Sequence, residues 1–304
     1  MFWGMAGAQH PSGTRGQAEP PRLPAVPLGP GSVYWYLSGD WRTLLMASRA
    51  LVLQTAHPVV GAGVGDYSVY KTDPYGRLNR TLNSLMAQTY GGAGAAAEGL
   101  RLMEMHREIK GVDSQGRRYS ALNPEAYLWV HATLFESSLV FMERFAAPLD
   151  ERGTEQLFDE WRRVGLLLGI SDHSLPRSVA EFWEMWDRVC AKLENNPVVQ
   201  DVLYNPPARP PYVPIPQRLA DTIARPLVKV QRDIVAWTLP PPLRERFGLV
   251  QLTAAEERRM RRLARLSRGL GRVLPDTLRY MPMALRARRR AMADPSIPDA
   301  LGPV

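Results

Sequence analysis

An all-α fold in a single domain is what this sequence predicts, on three observations. Apolar residues recur at three- and four-residue intervals along most of the chain. Helix-start signals, either a capping residue before proline or a capping box, appear repeatedly. No clear alternating strand pattern is found. The expected organisation is a disordered Gly/Pro-rich leader over 1–31, then one multi-helix body over 32–304 with about ten helices. With 304 residues, 45% of them hydrophobic, the chain can bury a core large enough to enclose a sizeable cofactor.

The elements follow in order. Leu45, Val52, Ala56 and Val59 mark an apolar stripe over 40–64 that Pro58 interrupts, giving a kinked helix or two segments. Asp73 before Pro74 is a cap followed by a first-turn proline, and the helix it opens runs to Tyr90 and stops at Gly91-Gly92. Its apolar stripe is Leu78, Leu82 and Leu85, and its polar stripe is Arg77, Arg80, Thr81, Ser84 and Gln88. The next helix covers about 93–110, with Leu102, His106 and Ile109 on one face, and 112–122 reads as a polar turn. Asn123-Pro124 repeats the cap-plus-proline signal, and its helix buries Tyr127, Val130, His131, Leu134, Phe141 and Phe145. Thr154 is read as the next cap, with Leu157, Trp161, Val164 and Leu168 inward. Ser178 and Glu181 form a capping box before Phe182, Trp183, Trp186, Val189 and Leu193. Dense proline over 196–216 predicts a loop, a strap anchored by Tyr204, Tyr212 and Ile215. Helices resume over about 218–237, after the Thr253–Glu256 capping box to about 271, and over about 283–292.

Composition narrows the function classes. Formal net charge is +8, concentrated late, in 258–272 and 286–290. Without an aromatic–glycine nucleic-acid motif, that charge reads as a solvated basic face, and no nucleic-acid partner is expected. The single cysteine, Cys190, excludes an intrachain disulfide and any cysteine-rich zinc or iron–sulfur site. It lies in an apolar stripe and reads as a small buried hydrophobe. No run of about 20 apolar residues occurs, so no transmembrane segment is expected, and a cytoplasmic location is the default.

Five histidines carry most of the chemical interest: His10, His57, His106, His131 and His173. His10 falls in the leader and His173 in a loop. Spacing removes several options. There is no His-Glu-x-x-His, no Glu-x-x-His and no Gly-x-Ser-x-Gly. Gly61-Ala-Gly63-Val-Gly65 follows a helix, so it reads as close packing or a helix exit, not a dinucleotide loop. Taken singly, a helical histidine is usually a satisfied core residue, Arg77 and Arg80 a salt-bridged surface, and Thr81 an ordinary hydroxyl. Taken together, Arg77, Arg80 and Thr81 share one side of a helix, and His106 follows about one helix later. Two guanidiniums for carboxylates, a hydroxyl and an imidazole for a metal match a buried anionic, metal-bearing cofactor.

Several dispersed segments carry a family resemblance. They are Arg49-Ala-Leu-Val-Leu-Gln-Thr-Ala-His57-Pro58, Asp73-Pro74 with Arg77-Leu-Asn-Arg80-Thr81, and His106 with Lys110-Gly111. Gly116, Tyr119-Ser-Ala121, Trp129-Val-His131-Ala-Thr-Leu134, and Gly169-Ile170 with Leu175-Pro176 follow in order. From about Ser32 onward the chain resembles the DUF2236 family, which includes the MpaB-type oxygenases and the rubber oxygenase called latex clearing protein. The resemblance implies a globin-like helical core with additional helices, a b-type haem, and His106 as the proximal ligand to its iron. It implies cofactor-binding and catalytic roles for Arg77 and Thr81, which match the family's Arg-x-x-x-Thr element. Arg80 stands where some rubber oxygenases carry a distal lysine. An arginine stays protonated, so Arg80 would donate hydrogen bonds to a propionate or to dioxygen. His131 and His57 are further cofactor-binding candidates, with supporting roles preferred, and Asp66 lies in the neighbourhood of the family's distal acid. The implied function is a haem-dependent oxygenase acting with dioxygen on a hydrophobic, isoprenoid-like small molecule or lipid. The alternative is a non-catalytic haem or hydrophobic-ligand binding protein.

Overall fold

The structure, a computed structural model, describes residues 28–205 and 217–293. Residues 1–27 of the expected leader and 206–216 of the expected strap lie outside the described residues. The order begins with α1 (Val33–Ser38), a 3₁₀ turn (Trp41–Met46), α2 (Ala47–Ala56), α3 (Pro58–Tyr67) and α4 (Pro74–Tyr90). A second 3₁₀ turn (Gly92–Gly94), α5 (Ala95–Arg107), β1 (Lys110–Val112), β2 (Arg118–Ser120) and α6 (Pro124–Phe145) follow. Then come α7 (Glu151–Leu167), α8 (Val179–Cys190), α9 (Pro197–Tyr204), α10 (Gln217–Thr238) and α11 (Pro241–Arg246). The order closes with α12 (Ala254–Val273), α13 (Asp276–Arg279) and α14 (Pro282–Met292). The fold is all-α apart from β1 and β2, an antiparallel pair with Gly111 opposite Tyr119.

Among the described residues there are fourteen α-helices, more than the sequence predicts. The extra ones are short. α1, α11 and α13 span six residues or fewer, too few to display a helical period. The stretch read as a turn carries the small β-hairpin, whose tip is closed by Asp113 Oδ1 accepting from the Gln115 and Arg117 amides. One cap assignment and one loop reading change. Asp150, not Thr154, caps α7: its Oδ1 accepts from the Gly153 amide at 2.7 Å, while the Thr154 hydroxyl donates back to the Asp150 carbonyl. The segment read as a proline loop opens with α9, because Pro197 occupies a first-turn position and Asn196 caps the Val198 and Val199 amides. At the start of the described chain, Leu28 is already buried in the core, so the packed body begins inside the span assigned to the leader.

The core forms around α2 and α6. Val52, Leu53 and Ala56 are fully buried, and α2 is packed against α3, α6, α9 and α10, which explains why its sequence is apolar nearly all round. Behind α6, Phe135 lies within 6 Å of Phe158, Trp161 and Phe182, an aromatic cluster that joins α6, α7 and α8. One charged pair crosses this interior: Arg49 of α2 and Glu136 of α6 meet in a two-pronged ion pair, with both side chains nearly inaccessible.

Gly99 sets how closely α5 approaches α7. A Cβ added there would stand 2.0 Å from the Leu167 carbonyl oxygen, a backbone atom that cannot step aside. Gly99→Ala is therefore expected to push the two helices apart and cost about 1–3 kcal/mol. Urea unfolding checks this, and an unchanged midpoint would show that the helices are not held at this distance.

Candidate functional site

α4 and α5 form an antiparallel hairpin turned at Gly91–Gly94. Near the turn the Ser84 hydroxyl donates to Glu98 Oε1 at 2.5 Å, which fixes the register of the two helices. Seven residues back along α4 from Ser84 is Arg77, on the same face; seven and eight residues onward from Glu98 are Met105 and His106. The register thus puts Arg77 and Met105 on facing rows at the open end of the hairpin, with His106 one position further round α5, toward Tyr127 of α6.

His106 is half-buried in the last turn of α5. Its Nδ1 lies 2.7 Å from the Leu102 carbonyl oxygen. A carbonyl only accepts, so Nδ1 carries a proton, and in the neutral ring Nε2 is then the acceptor. Nε2 has no hydrogen-bond partner among the described residues. The Tyr127 ring stands edge-on to the imidazole at 5.9 Å, and the Tyr127 hydroxyl is itself tied to the Leu168 carbonyl. The imidazole is thus held in one tautomer from below and from the side.

Arg77 is half-buried and has no ion pair among the described residues. Burial, and then the positive charge of Arg80, lower its pKa, the signature of a cation without an anion. Arg80 and Thr81 are placed differently. Both are exposed. Arg80 pairs with Asp73 at 3.1 Å, and the Thr81 hydroxyl donates to the Arg77 carbonyl at 3.0 Å. Leu78 and Met105, neighbours of Arg77 and His106 in sequence, are exposed by 43% and 48%. This end of the hairpin therefore offers apolar surface as well as a donor nitrogen and a cation.

His131, and His57, which was expected in a helix but lies in extended backbone between α2 and α3, stand apart from this arrangement. His131 is buried in α6, stacked flat on Trp161 at 4.9 Å, with its Nε2–H donating to the Trp161 carbonyl. The Trp161 indole donates in return to the His131 carbonyl at 3.0 Å, so the pair locks α6 to α7. Gly165 leaves room for the ring, since a Cβ there would lie 3.2 Å from Nε2. His57 is buried at the joint between α2 and α3, with neither ring nitrogen hydrogen-bonded and Nε2 3.5 Å from the Glu125 carboxylate. Asp66, at the end of α3, accepts a hydrogen bond from the Tyr119 hydroxyl. It lies near the exit of α5, because Ile109 packs on Gly63 and the Tyr67 hydroxyl donates to the Lys110 carbonyl.

Burial pushes the His131 pKa down to about 4 from an ordinary 6.5 and lowers that of His57 as well. The unfolded chain therefore binds protons between pH 6.5 and pH 4 that the native state refuses. Stability is expected to be full above pH 6.5 and to fall as the pH drops towards 4, His131 contributing roughly 3 kcal/mol of that loss. His131→Phe keeps the stacking and should flatten this part of the stability–pH curve. A curve as steep as that of the parent would refute the assignment.

Among the described residues no three His, Cys, Asp or Glu side chains converge as a set of metal ligands. A porphyrin needs only one axial side chain, because its own nitrogens fill the equatorial positions. The oriented nitrogen of His106, the Arg77 guanidinium, which has no ion pair among the described residues, and the exposed Leu78 and Met105 fit that group.

Residues 35–269 match the family model described as ER-bound oxygenase mpaB/B′/rubber oxygenase, catalytic domain. The chain belongs to this family. Its mpaB/rubber oxygenase domain spans most of the helical body, from α1 into α12, and the family is one of oxygenase catalytic domains. Uncharacterized proteins of Mycobacterium tuberculosis (strain H37Rv) and Mycobacterium bovis are each 26% identical over 166 residues, covering 53% of this chain and 65% of theirs. The chain thus spans somewhat less than two thirds of the length of these curated relatives. No solved structure gives a significant match. Among the described residues, no helix is long and apolar enough to cross a membrane.

The Asp73-Pro74 start, the polar stripe of α4 and the position of His106 were all readable as sequence. The roles of Tyr127, Gly99 and the Ser84–Glu98 link were not, because each depends on which helix lies opposite. Arg49 was readable only as part of a family segment, and Glu136 carried no signal at all.

Proposed function

We propose that this mpaB/rubber oxygenase domain is a haem-b oxygenase whose iron is held by His106 and whose substrate is a hydrophobic, isoprenoid-like molecule. The observation that carries the reading is the His106 ring itself. It is fixed by a hydrogen bond from Nδ1 to a backbone carbonyl, which leaves the opposite nitrogen, unengaged among the described residues, as the acceptor of the neutral ring. When bound, haem iron would supply the activation of dioxygen that oxygenase chemistry requires.

The chain's own residues orient and support that group. The Leu102 carbonyl, by accepting from Nδ1, raises the basicity of Nε2 and keeps it in the ligating tautomer. Tyr127 restricts rotation of the ring. Arg77 offers an uncommitted guanidinium to a propionate. Arg80 and Thr81 act through α4: Arg80 anchors the capping carboxylate of Asp73, and Thr81 bonds the carbonyl of Arg77's own turn. His131 and His57 serve the scaffold. The isoprenoid-like substrate class rests on the family alone.

Titration of the purified chain with haemin tests the reading. A stoichiometric Soret band, and a further shift on adding carbon monoxide to the reduced protein, are expected. A haemin spectrum left unchanged by the protein would end it.

A further inference from the structure

A cavity of about 410 Å³ opens far along the chain from His106, and none of its lining residues lies on α4 or α5. Its size is within the roughly 300–1,000 Å³ of small-molecule sites. One wall is apolar, made by Val33 and Leu37 of α1, Phe141 and Met142 of α6, and Leu149 in the loop after it. The other wall carries four arginines, Arg42, Arg268, Arg272 and Arg279.

The charge on that wall is not balanced. Among the described residues, Asp40 is the one carboxylate paired there, buried and shared between Arg42 and Arg279. Arg268 donates only to the backbone carbonyls of Glu143 and Ala146, and Arg272 has no ion pair among the described residues. Of the acids close by in sequence, Glu143 pairs with Arg144, Asp276 with Arg288, and Asp150, next to Leu149, caps the Gly153 amide of α7. Gly271 keeps the cationic wall in place. A Cβ there would come within 2.0 Å of the Arg42 guanidinium, which passes over the glycine to donate to the Ser267 carbonyl.

We infer that this cavity binds an anionic amphiphile with a single hydrocarbon chain, the chain lying against Leu37, Phe141 and Leu149 and a carboxylate or phosphate head meeting Arg268 and Arg272. An apolar trough alone would take any greasy molecule. The excess of guanidinium over carboxylate at one wall selects the anionic head, and forked guanidiniums match carboxylate and phosphate oxygens. The occupant is a free monomer, because the cavity is a pocket between helix ends and not a flat face. This site is independent of the haem reading, since it shares no residue with the hairpin of α4 and α5.

Calorimetric titration with dodecyl phosphate below its micelle concentration tests the assignment. Binding is expected for dodecyl phosphate and dodecanoate, and not for inorganic phosphate, dodecanol or dodecyltrimethylammonium. Arg272→Glu changes an exposed side chain and should weaken dodecyl phosphate about ten-fold or more, the loss of one charge-assisted contact. Ala147→Trp, at an exposed position on the cavity rim, should block binding while leaving the melting temperature and the haemin titration unchanged. Equal binding of the cationic or neutral amphiphile would overturn the proposal. So would undiminished binding by both variants, or association with anionic lipid vesicles without any binding of the monomeric amphiphile.

Discussion

His106→Gly is expected to lose haem. Removing a group that merely supports a metal ligand costs roughly 10–100-fold in affinity, so removing the ligand itself should cost more than about 100-fold. The hairpin should survive the change, because the register of α4 and α5 is set at its other end by Ser84 and Glu98. Free imidazole added to the variant should enter the vacated space and restore the Soret band, which separates a lost ligand from a lost fold. His57→Ala and His131→Phe, in contrast, should leave the ligand field of the iron as it is in the parent, as read by electron paramagnetic resonance. A His106→Gly variant that holds haemin with the parent's spectrum and affinity would reject His106 as the ligand and, with it, the proposed centre. Arg77→Leu provides a graded companion: weaker haemin binding with an unchanged ligand field is the expected pattern for a propionate partner.

Glu136→Ala should produce the largest loss of stability of any single exchange considered for this chain. Arg49 is 1% exposed, and Glu136 is its only carboxylate partner among the described residues. Truncating the acid leaves a guanidinium in the interior with just the Ser137 hydroxyl, 3.3 Å away, as a side-chain hydrogen-bond partner among the described residues. Arginine cannot shed its proton to escape. Breaking such a pair costs about 3–5 kcal/mol, whereas replacing both members by apolar residues of similar size is often neutral or stabilising. The double replacement Arg49→Met with Glu136→Leu should therefore recover most of the stability lost in Glu136→Ala. Urea unfolding of the parent, the single variant and the double variant measures this directly. A loss below about 1 kcal/mol in the single variant would show that water reaches Arg49.

Helices with a strong local signal could be read from the chain. Asp73-Pro74 and Asn123-Pro124 cap and open α4 and α6, and the Thr253–Glu256 box opens α12, with both of its hydrogen bonds made. At α8 the signal was half right: Ser178 caps the Glu181 amide, but the Glu181 carboxylate accepts from Arg177 instead of closing the box. Where two signals competed, the reading failed. The proline density after Asn196 suggested a loop, yet a single proline after an asparagine is also how a helix begins, and α9 does so. Thr154 was an acceptable cap beside a better one, Asp150.

The candidate site divides in the same manner. Arg77, Arg80 and Thr81 were expected to act from one side of a helix, and the spacing that suggested this holds in α4. Only the packed structure separates them, leaving Arg77 half-buried with no ion pair among the described residues, while Arg80 bonds the N-cap Asp73 and Thr81 a carbonyl of α4. Taken singly, His57, His106 and His131 look alike as sequence, and it is the family segments that single out His106. What distinguishes them is the neighbour across the interface: a flat indole and its carbonyl for His131, a helix joint for His57, and an edge-on tyrosine for His106.

Periodicity, caps and breakers therefore determined that this chain would be helical and where most helices start, because those preferences act between residues a few positions apart. Which imidazole stays half-exposed with its ring oriented, which arginine has no ion pair among the described residues and where a cavity opens were decided by the tertiary structure alone. Those properties belong to groups far apart in the chain, and their energies appear only when packing removes water from between them.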